Sequence, residues 1–358
     1  MRAVARYWAV ESALGAALIA ALLALVAWWG VSDTAQSDKV THFLINVVLV
    51  VALQLFSGNT GILSFGQMAF VGTGAYVAAI LTLDPILKPT ILPHLPPFLL
   101  TAHLGWVPAL LAAAGAGGVL ALASGFPILR LDQASAVIAI LALFLIAAIV
   151  FGSWTNVTNG GAGLYGLPPE TSIWRAFGVA AVAVLIARLF KDSKTGLLLQ
   201  ASREDALAAA SSGVPVRRYR VRAWVLNGIL CGAGGALFAW WIGTISPTDF
   251  FLAPTFALIV MFVVGGTGTV SGAVLGAAIV TAVQDWLRQY EDNHVNLGVF
   301  SIGRLTGLTQ FVLVVVILLA MAFKREGLIA RREPDEHLRR LLARARRGRV
   351  RTAPTTAP

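Results

Sequence analysis

Gly161, Gly163 and Gly166 form a G-x-G-x-x-G, the spacing that cradles a dinucleotide pyrophosphate where a strand hands over to a helix. Here Leu167-Pro168-Pro169 follows at once, so the glycines belong to a loop and the cofactor reading is rejected. The phosphate-binding pattern G-x-x-x-x-G-K-[ST] does not occur. His42, His94, His103, His294 and His337 are scattered, and no two stand four apart as metal ligands on one helix face would. Cys231, the single cysteine, lies in an apolar run and reads as a small packing residue; no intrachain disulfide is possible. No serine or cysteine has a catalytic neighbourhood. The chain therefore reads as a non-enzyme with no metal or cofactor of its own.

Three other patterns remain. Ser202 to Gly213 reads as one short helix. Ser202 can cap its start with Asp205 at the third position, Glu204 and Asp205 suit the positive helix end, Ala208 and Ala209 favour the interior, and Gly213 stops it before Pro215. Such a helix buries little by itself. It either docks into a cytoplasmic motor subunit, with Arg203, Glu204 and Asp205 at its charged start, or is an ordinary interfacial loop helix. Gly58-Asn59-Thr60-Gly61-Ile62-Leu63-Ser64 and Gly265-Gly266-Thr267-Gly268-Thr269-Val270-Ser271 both fit G-x-T-G-x-x-S, the first running on into Gly66 and Gln67. They are either hinges lining a pathway through broken helices, as in transporters built from repeats, or two tight turns. Gly268, Gly272 and Gly276, and likewise Gly228, Gly232 and Ala236, stand four apart, a packing face for close helix approach within the chain or against a partner.

The elements that carry these patterns follow from composition. Of 358 residues, 58% are hydrophobic and 12% charged, and mean hydropathy is +0.79. Soluble domains carry about twice that share of charge. This excludes a soluble enzyme, a disordered scaffold and a nucleic-acid-binding domain. Ten apolar segments predict an all-α polytopic membrane protein: Glu11–Gly30, Val40–Phe56, Gln67–Leu83, Leu104–Ser124, Ala134–Phe151, Ile173–Phe190, Val221–Gly243, Leu252–Val264, Val270–Leu287 and Thr306–Phe323. The first lacks an A-x-A-like cleavage site and reads as an uncleaved span. The eighth is short for a full crossing.

With both termini inside, the inner parts hold roughly 22 basic residues and the outer loops about 5, as the positive-inside rule requires. The net charge of +10 is thus a compass for orientation and calls for no nucleic acid. Residues 1–330 form the transmembrane domain and 331–358 a basic cytoplasmic tail. In that tail Glu333 to Arg349 is either a basic amphipathic helix suited to an anionic membrane surface or a solvated segment. Polar residues within spans are few and neutral: Asn46, Gln54, Asn227, Gln284 and Gln310, with Asp285 near an outer helix end. Scarce carboxylates argue against ion-driven transport and for external power.

Several stretches in order resemble the LivM-type permease subunits of branched-chain amino acid ABC transporters. Ser57 to Phe70 and Gly72-Thr73-Gly74-Ala75-Tyr76 are similar to the early G-x-x-G-x-x-S-x-G-Q-x-x-F signature. Thr158 to Leu164 with Gly166-Leu167-Pro168 resembles the outer loop, and Arg203-Glu204-Asp205 to Gly213 the cytoplasmic stretch. Gly232 to Leu237, Ser246-Pro247 and Phe250 continue in register. Gly265 to Gly272 resembles the late glycine motif, and Lys324 to Leu328 the closing one. Ala206, Ala273 and Glu326 depart from the pattern. The resemblance implies a LivH/LivM-type permease fold in a bacterial cytoplasmic (inner) membrane. It also implies a homologous LivH-type second permease, two LivG/LivF-type ATPase subunits that use the ATP, and an outer substrate-binding protein. It favours the docking role for the 203–213 stretch. Urea or short amides as substrate, an ion-driven transporter and a membrane scaffold are the alternatives.

Overall fold

The computed structural model describes residues 2–292, 295–297 and 300–302, together with Val312, Val315, Leu328 and Ile329; side chains are described for 12–288 and those last four. The tenth segment, Thr306–Phe323, and the tail, including Glu333–Arg349, lie outside the described residues.

The helices in chain order are α1 (Arg2–Gly30), α2 (Thr34–Leu53), α3 (Gln67–Thr82), the short α4 (Lys88–Ile91) and α5 (Pro97–Thr101), α6 (Trp106–Ile128) and α7 (Gln133–Ser153). Then follow α8 (Thr155–Thr158), α9 (Ile173–Asp192), α10 (Lys194–Glu204), α11 (Ala206–Ser211), α12 (Val216–Ile242), α13 (Leu252–Gly265) and α14 (Val270–Asp292). Two small antiparallel pairs join β1 (Leu164–Tyr165) to β2 (Thr244–Ile245) and β3 (Val295–Leu297) to β4 (Phe300–Ile302). Nine of the ten expected segments are helices among the described residues. Eight are long and apolar enough to cross a membrane, and α3 is shorter at 16 residues. The eighth segment gains length from a 3-10 turn, Pro247–Phe250, which makes a 19-residue stretch with α13.

Burial sorts the helices. In α2, 94% of the apolar window is buried; in α1, α6 and α7 the share is 28%. The bundle is thus built around α2, and the outer three present apolar faces of the kind lipid or another subunit accepts. Lipid tails are as apolar as leucine, so close packing rather than water exclusion holds such helices together. Small residues supply it. On α12, a Cβ added at Gly228 would meet the Gly117 carbonyl oxygen of α6 at 2.6 Å. Gly232 meets the Ala113 carbonyl of the same helix, and Gly235 meets the Val71 carbonyl of α3. The second stripe works between neighbours in sequence, with Gly272 and Gly276 against Gly265 of α13. Trp224 packs over Gly125 of α6, edge-on to Phe56 and Phe70, with its Nε1 donating to Ser124 Oγ at 3.2 Å.

The loops separate by end. The turns assigned to the inner side by charge come together: Gln133 Nε2 donates to the Gly61 carbonyl at 2.8 Å, and the Leu328 N–H to the Val264 carbonyl at 2.9 Å. At the other end β1 pairs with β2, and the Lys88 ammonium donates to the carbonyls of Leu99 and Ala102, which fastens the proline-rich loop.

Candidate functional site: the inner junction

α2 does not end as a regular helix. Its last turn, Gln54–Gly58, is π-helical, a one-turn widening that recurs at functional sites. The chain then turns on local bonds. Asn59 Nδ2 donates to the Leu55 carbonyl, Thr60 Oγ1 to the Phe56 carbonyl, and the Gly66 N–H to Ser64 Oγ. Gly61 adopts φ +74°, a conformation that disfavours any side chain. Gln67 opens α3, and its Oε1 accepts from Cys231 Sγ at 2.9 Å. Around this turn, both amide atoms of Gln54, Ser57 Oγ, Gln67 Nε2 and Asn227 Nδ2 are buried without a hydrogen-bond partner among the described residues. Unpaired polar atoms at membrane depth are costly unless they line a water-filled or changing space.

The loop between α9 and α12 folds differently from the single helix expected over Ser202–Gly213. Ser202 is inside α10, and Asp205 breaks the chain with extended backbone (φ −150°, ψ 106°). Asp205 then caps α11, its Oδ1 accepting from the N–H groups of Leu207 and Ala208 at 2.9 Å. A carboxylate two or three positions before free N–H groups serves equally as cap or as third residue, and here the cap wins. The break divides the expected docking residues. Ala208, Ala209 and Gly213 lie on or after α11, where Leu207 is 84% exposed, while Arg203 and Glu204 end α10.

Arg203 turns inward. Its Nη1 donates to the Gly58 carbonyl at 2.9 Å, and its stem lies over Gly61, where an added Cβ would meet Cγ at 2.8 Å. Gln200, nearly one turn earlier, donates to Asn59 Oδ1 at 3.0 Å. The loop helix thus grips the α2–α3 turn at three residues.

The late glycine motif arrives at the same place. A Cβ on Gly58 would stand 2.7 Å from the Thr267 carbonyl. Thr269 caps α14 through Oγ1 to the Gly272 N–H at 3.1 Å. The two G-x-T-G-x-x-S copies share an end of the molecule but not a backbone: the positive-φ glycine is the fourth residue of one, Gly61, and the second of the other, Gly266. Gly265, Gly268 and Ser271 lie on the turn or at its flanks.

Contacts beyond the sequence reading lie nearer the outer side. His42 Nδ1 stands 3.6 Å from Asp285 Oδ1, and the His42 ring stacks on Trp241 with centroids 4.8 Å apart. Asn46 Nδ2 donates to Thr281 Oγ1 at 3.0 Å. The His42–Asp285 and Asn46–Thr281 pairs join α2 to α14 across 235 or more positions, so only the isolated polar letters in apolar runs hinted at them. Among the described residues no three His, Cys, Asp or Glu side chains are grouped to hold a metal.

The sequence profile described as the branched-chain amino acid transport system, permease component, matches residues 37–321, which include every element of this junction. The chain belongs to that family. It is 25% identical over 360 aligned positions to the high-affinity branched-chain amino acid transport system permease protein LivM of Escherichia coli, covering 90% of this chain and 76% of that one. The Salmonella typhimurium LivM is 24% identical over the same shares. The probable branched-chain amino acid transport permease protein LivH of Methanocaldococcus jannaschii is 24% identical, over 76% of this chain and 86% of its own. No solved structure matches this permease.

Proposed function

We propose that this permease is one of two membrane subunits of an ATP-driven importer of branched-chain amino acids, working in a bacterial inner membrane. A LivH-type permease is its partner, two ATPase subunits bind its inner face, and an outer binding protein delivers substrate. The observation that carries this is the inner junction. An exposed short helix that needs a partner is joined, through Arg203, to a π-widened turn among buried polar groups that have no partner among the described residues.

The device works by unequal contacts. ATP can shift this subunit only if the ATPases bind its inward- and outward-facing forms with different strength. In this reading α11 receives the ATPase through Leu207, and α10 carries the displacement. Arg203 and Gln200 pass it to Gly58–Asn59, and the turn re-seats Gly66 and Gln67 at the start of α3. Gly265 to Ser271 follow, because Thr267 abuts Gly58. A hydrogen bond to a charged group contributes about 1.5–3 kcal/mol. That is enough to move a two-state equilibrium roughly tenfold or more.

The test is uptake of labelled leucine into proteoliposomes holding the whole complex. The expected result is uptake that requires ATP inside the ATPase compartment and the binding protein on the opposite side. Ion-dependent uptake by this chain alone, with no ATPase, overturns the reading.

A further inference from the structure

A cavity of about 360 Å³ opens among α2, α3, α12, α13 and α14, separate from the inner junction. Its size falls in the lower part of the range of small-molecule sites, roughly 300–1,000 Å³. Its chemistry is divided by depth. Thr248, Asp249 and Arg288 lie at the outer ends of their elements, whereas Met68 and Met261 lie near the inner ends of α3 and α13. Leu49, Phe238, Leu258 and Met261 give it apolar walls.

Its polar groups are incompletely used. Asp249 Oδ2 accepts from the Ser246 N–H at 2.7 Å, which fixes the side chain and leaves Oδ1 without a partner among the described residues. Arg288 and Asp249 are in no ion pair among the described residues, although they line one space with opposite charge. Gln284, 7% exposed, lines the cavity between them and the apolar part and has no hydrogen-bond partner among the described residues. His42, also in the wall, is occupied by Asp285, Asn46 and Trp241. A ligand with a single charge leaves one of Asp249 and Arg288 unmatched, and a neutral amide leaves both. A zwitterion with an apolar side chain satisfies all of them.

We infer that this cavity is an outward-facing subsite, contained in this one subunit, for a free α-amino acid with a branched apolar side chain. Arg288 takes the α-carboxylate, Asp249 the α-ammonium, and Gln284 a remaining carboxylate oxygen. The side chain points inward between Leu49, Phe238 and Met261. This rests on the transport reading above and adds where, within the importer, the substrate waits.

The test uses the complete complex in proteoliposomes, with binding protein outside. Cys231 is buried, so an introduced thiol is the one an impermeant methanethiosulfonate reaches from outside among the described residues. With Ala257→Cys or, nearer the mouth, Ala253→Cys, labelling is expected, and saturating leucine is expected to slow it about tenfold. Adding Asp249→Asn or Arg288→Gln is expected to abolish that protection. Separately, Ala257→Leu narrows the wall and is expected to lower the leucine-to-valine uptake ratio roughly tenfold, the discrimination one methylene can give. Labelling that leucine does not slow at either cysteine, with the uptake ratio unchanged, overturns the subsite. Absence of wild-type leucine uptake in the same vesicles overturns the transport reading and the subsite with it. Protection by acetamide equal to that by leucine also overturns the zwitterion assignment.

Discussion

Arg203 Nη1 donates to the carbonyl oxygen of Gly58 at 2.9 Å, joining residues 145 positions apart in the chain. The bond ties the one loop with a marked excess of basic residues to the end of the most buried helix. It is half-buried, charged on the donor side and made to a backbone atom, so no rotamer change at position 58 can release it. Movement of α10 therefore has to move the α2–α3 turn or break the bond.

Gly61 adopts φ +74° beneath the Arg203 stem. Gly61→Ala is expected to lower stability by about 1–2 kcal/mol through backbone strain and to displace the guanidinium. The thermal midpoint of the detergent-solubilised complex should fall, with a larger loss of uptake than Gly178→Ala causes, because Gly178 has open space around it. Equal effects at both positions would argue against the link.

Asp205 holds α11 by capping two N–H groups. Asp205→Ala removes about 1 kcal/mol of helix stability. If α11 is the docking helix, ATPase affinity should fall roughly fivefold, the factor that energy corresponds to. Leu207→Asp should weaken ATPase binding further and leave the fold intact, since that side chain is almost fully exposed. Co-purification of the ATPase subunits measures both, and undiminished co-purification with Leu207→Asp counts against docking here.

Lys88 is completely buried in the outer loop, and burial pushes its ammonium below the usual lysine value. The folded state then binds fewer protons than the unfolded chain. The cost of the buried charge is present below the folded pKa and is relieved as pH rises through it toward the unfolded value, about 10.4. Resistance of residues 85–104 to protease is expected to rise over that alkaline window in the wild type. It should not do so in Lys88→Met, which also leaves the Leu99 and Ala102 carbonyls without their donor and should be cut faster at neutral pH.

Thr267 abuts Gly58 at the meeting of the two glycine motifs. Thr267→Cys should react with a thiol reagent from the inner side, with a rate that changes when a non-hydrolysable ATP analogue is added. A nucleotide-independent rate contradicts the idea that this turn moves.

The membrane helices were legible because each needs a long apolar run, which leaves an unmistakable signature in composition. Their ends were less so. α2 begins at Thr34 rather than Val40, because Ser37, Asp38 and Lys39 are polar yet helical, and it passes through Phe56 as a π-turn that no local pattern announces. The break at Asp205 was hidden for a different reason: the same carboxylate suits two positions of a helix start. The glycine stripes pointed to close packing but not to which helix each would meet. Arg203 with Gly58, Asn46 with Thr281, and the cavity shared by Asp249 and Arg288 depend on tertiary structure alone. In each case the partners come from distant segments whose alignment is set by helix packing.

Leucine uptake and ATP hydrolysis measured together in the same proteoliposomes, for wild type and Arg203→Gln, bear most directly on coupling through the inner junction. With Arg203→Gln, hydrolysis should stay within about twofold of wild type while uptake falls tenfold or more, the factor that loss of about 1.4 kcal/mol gives. Uptake per ATP equal to that of wild type would contradict transmission through the Arg203–Gly58 bond.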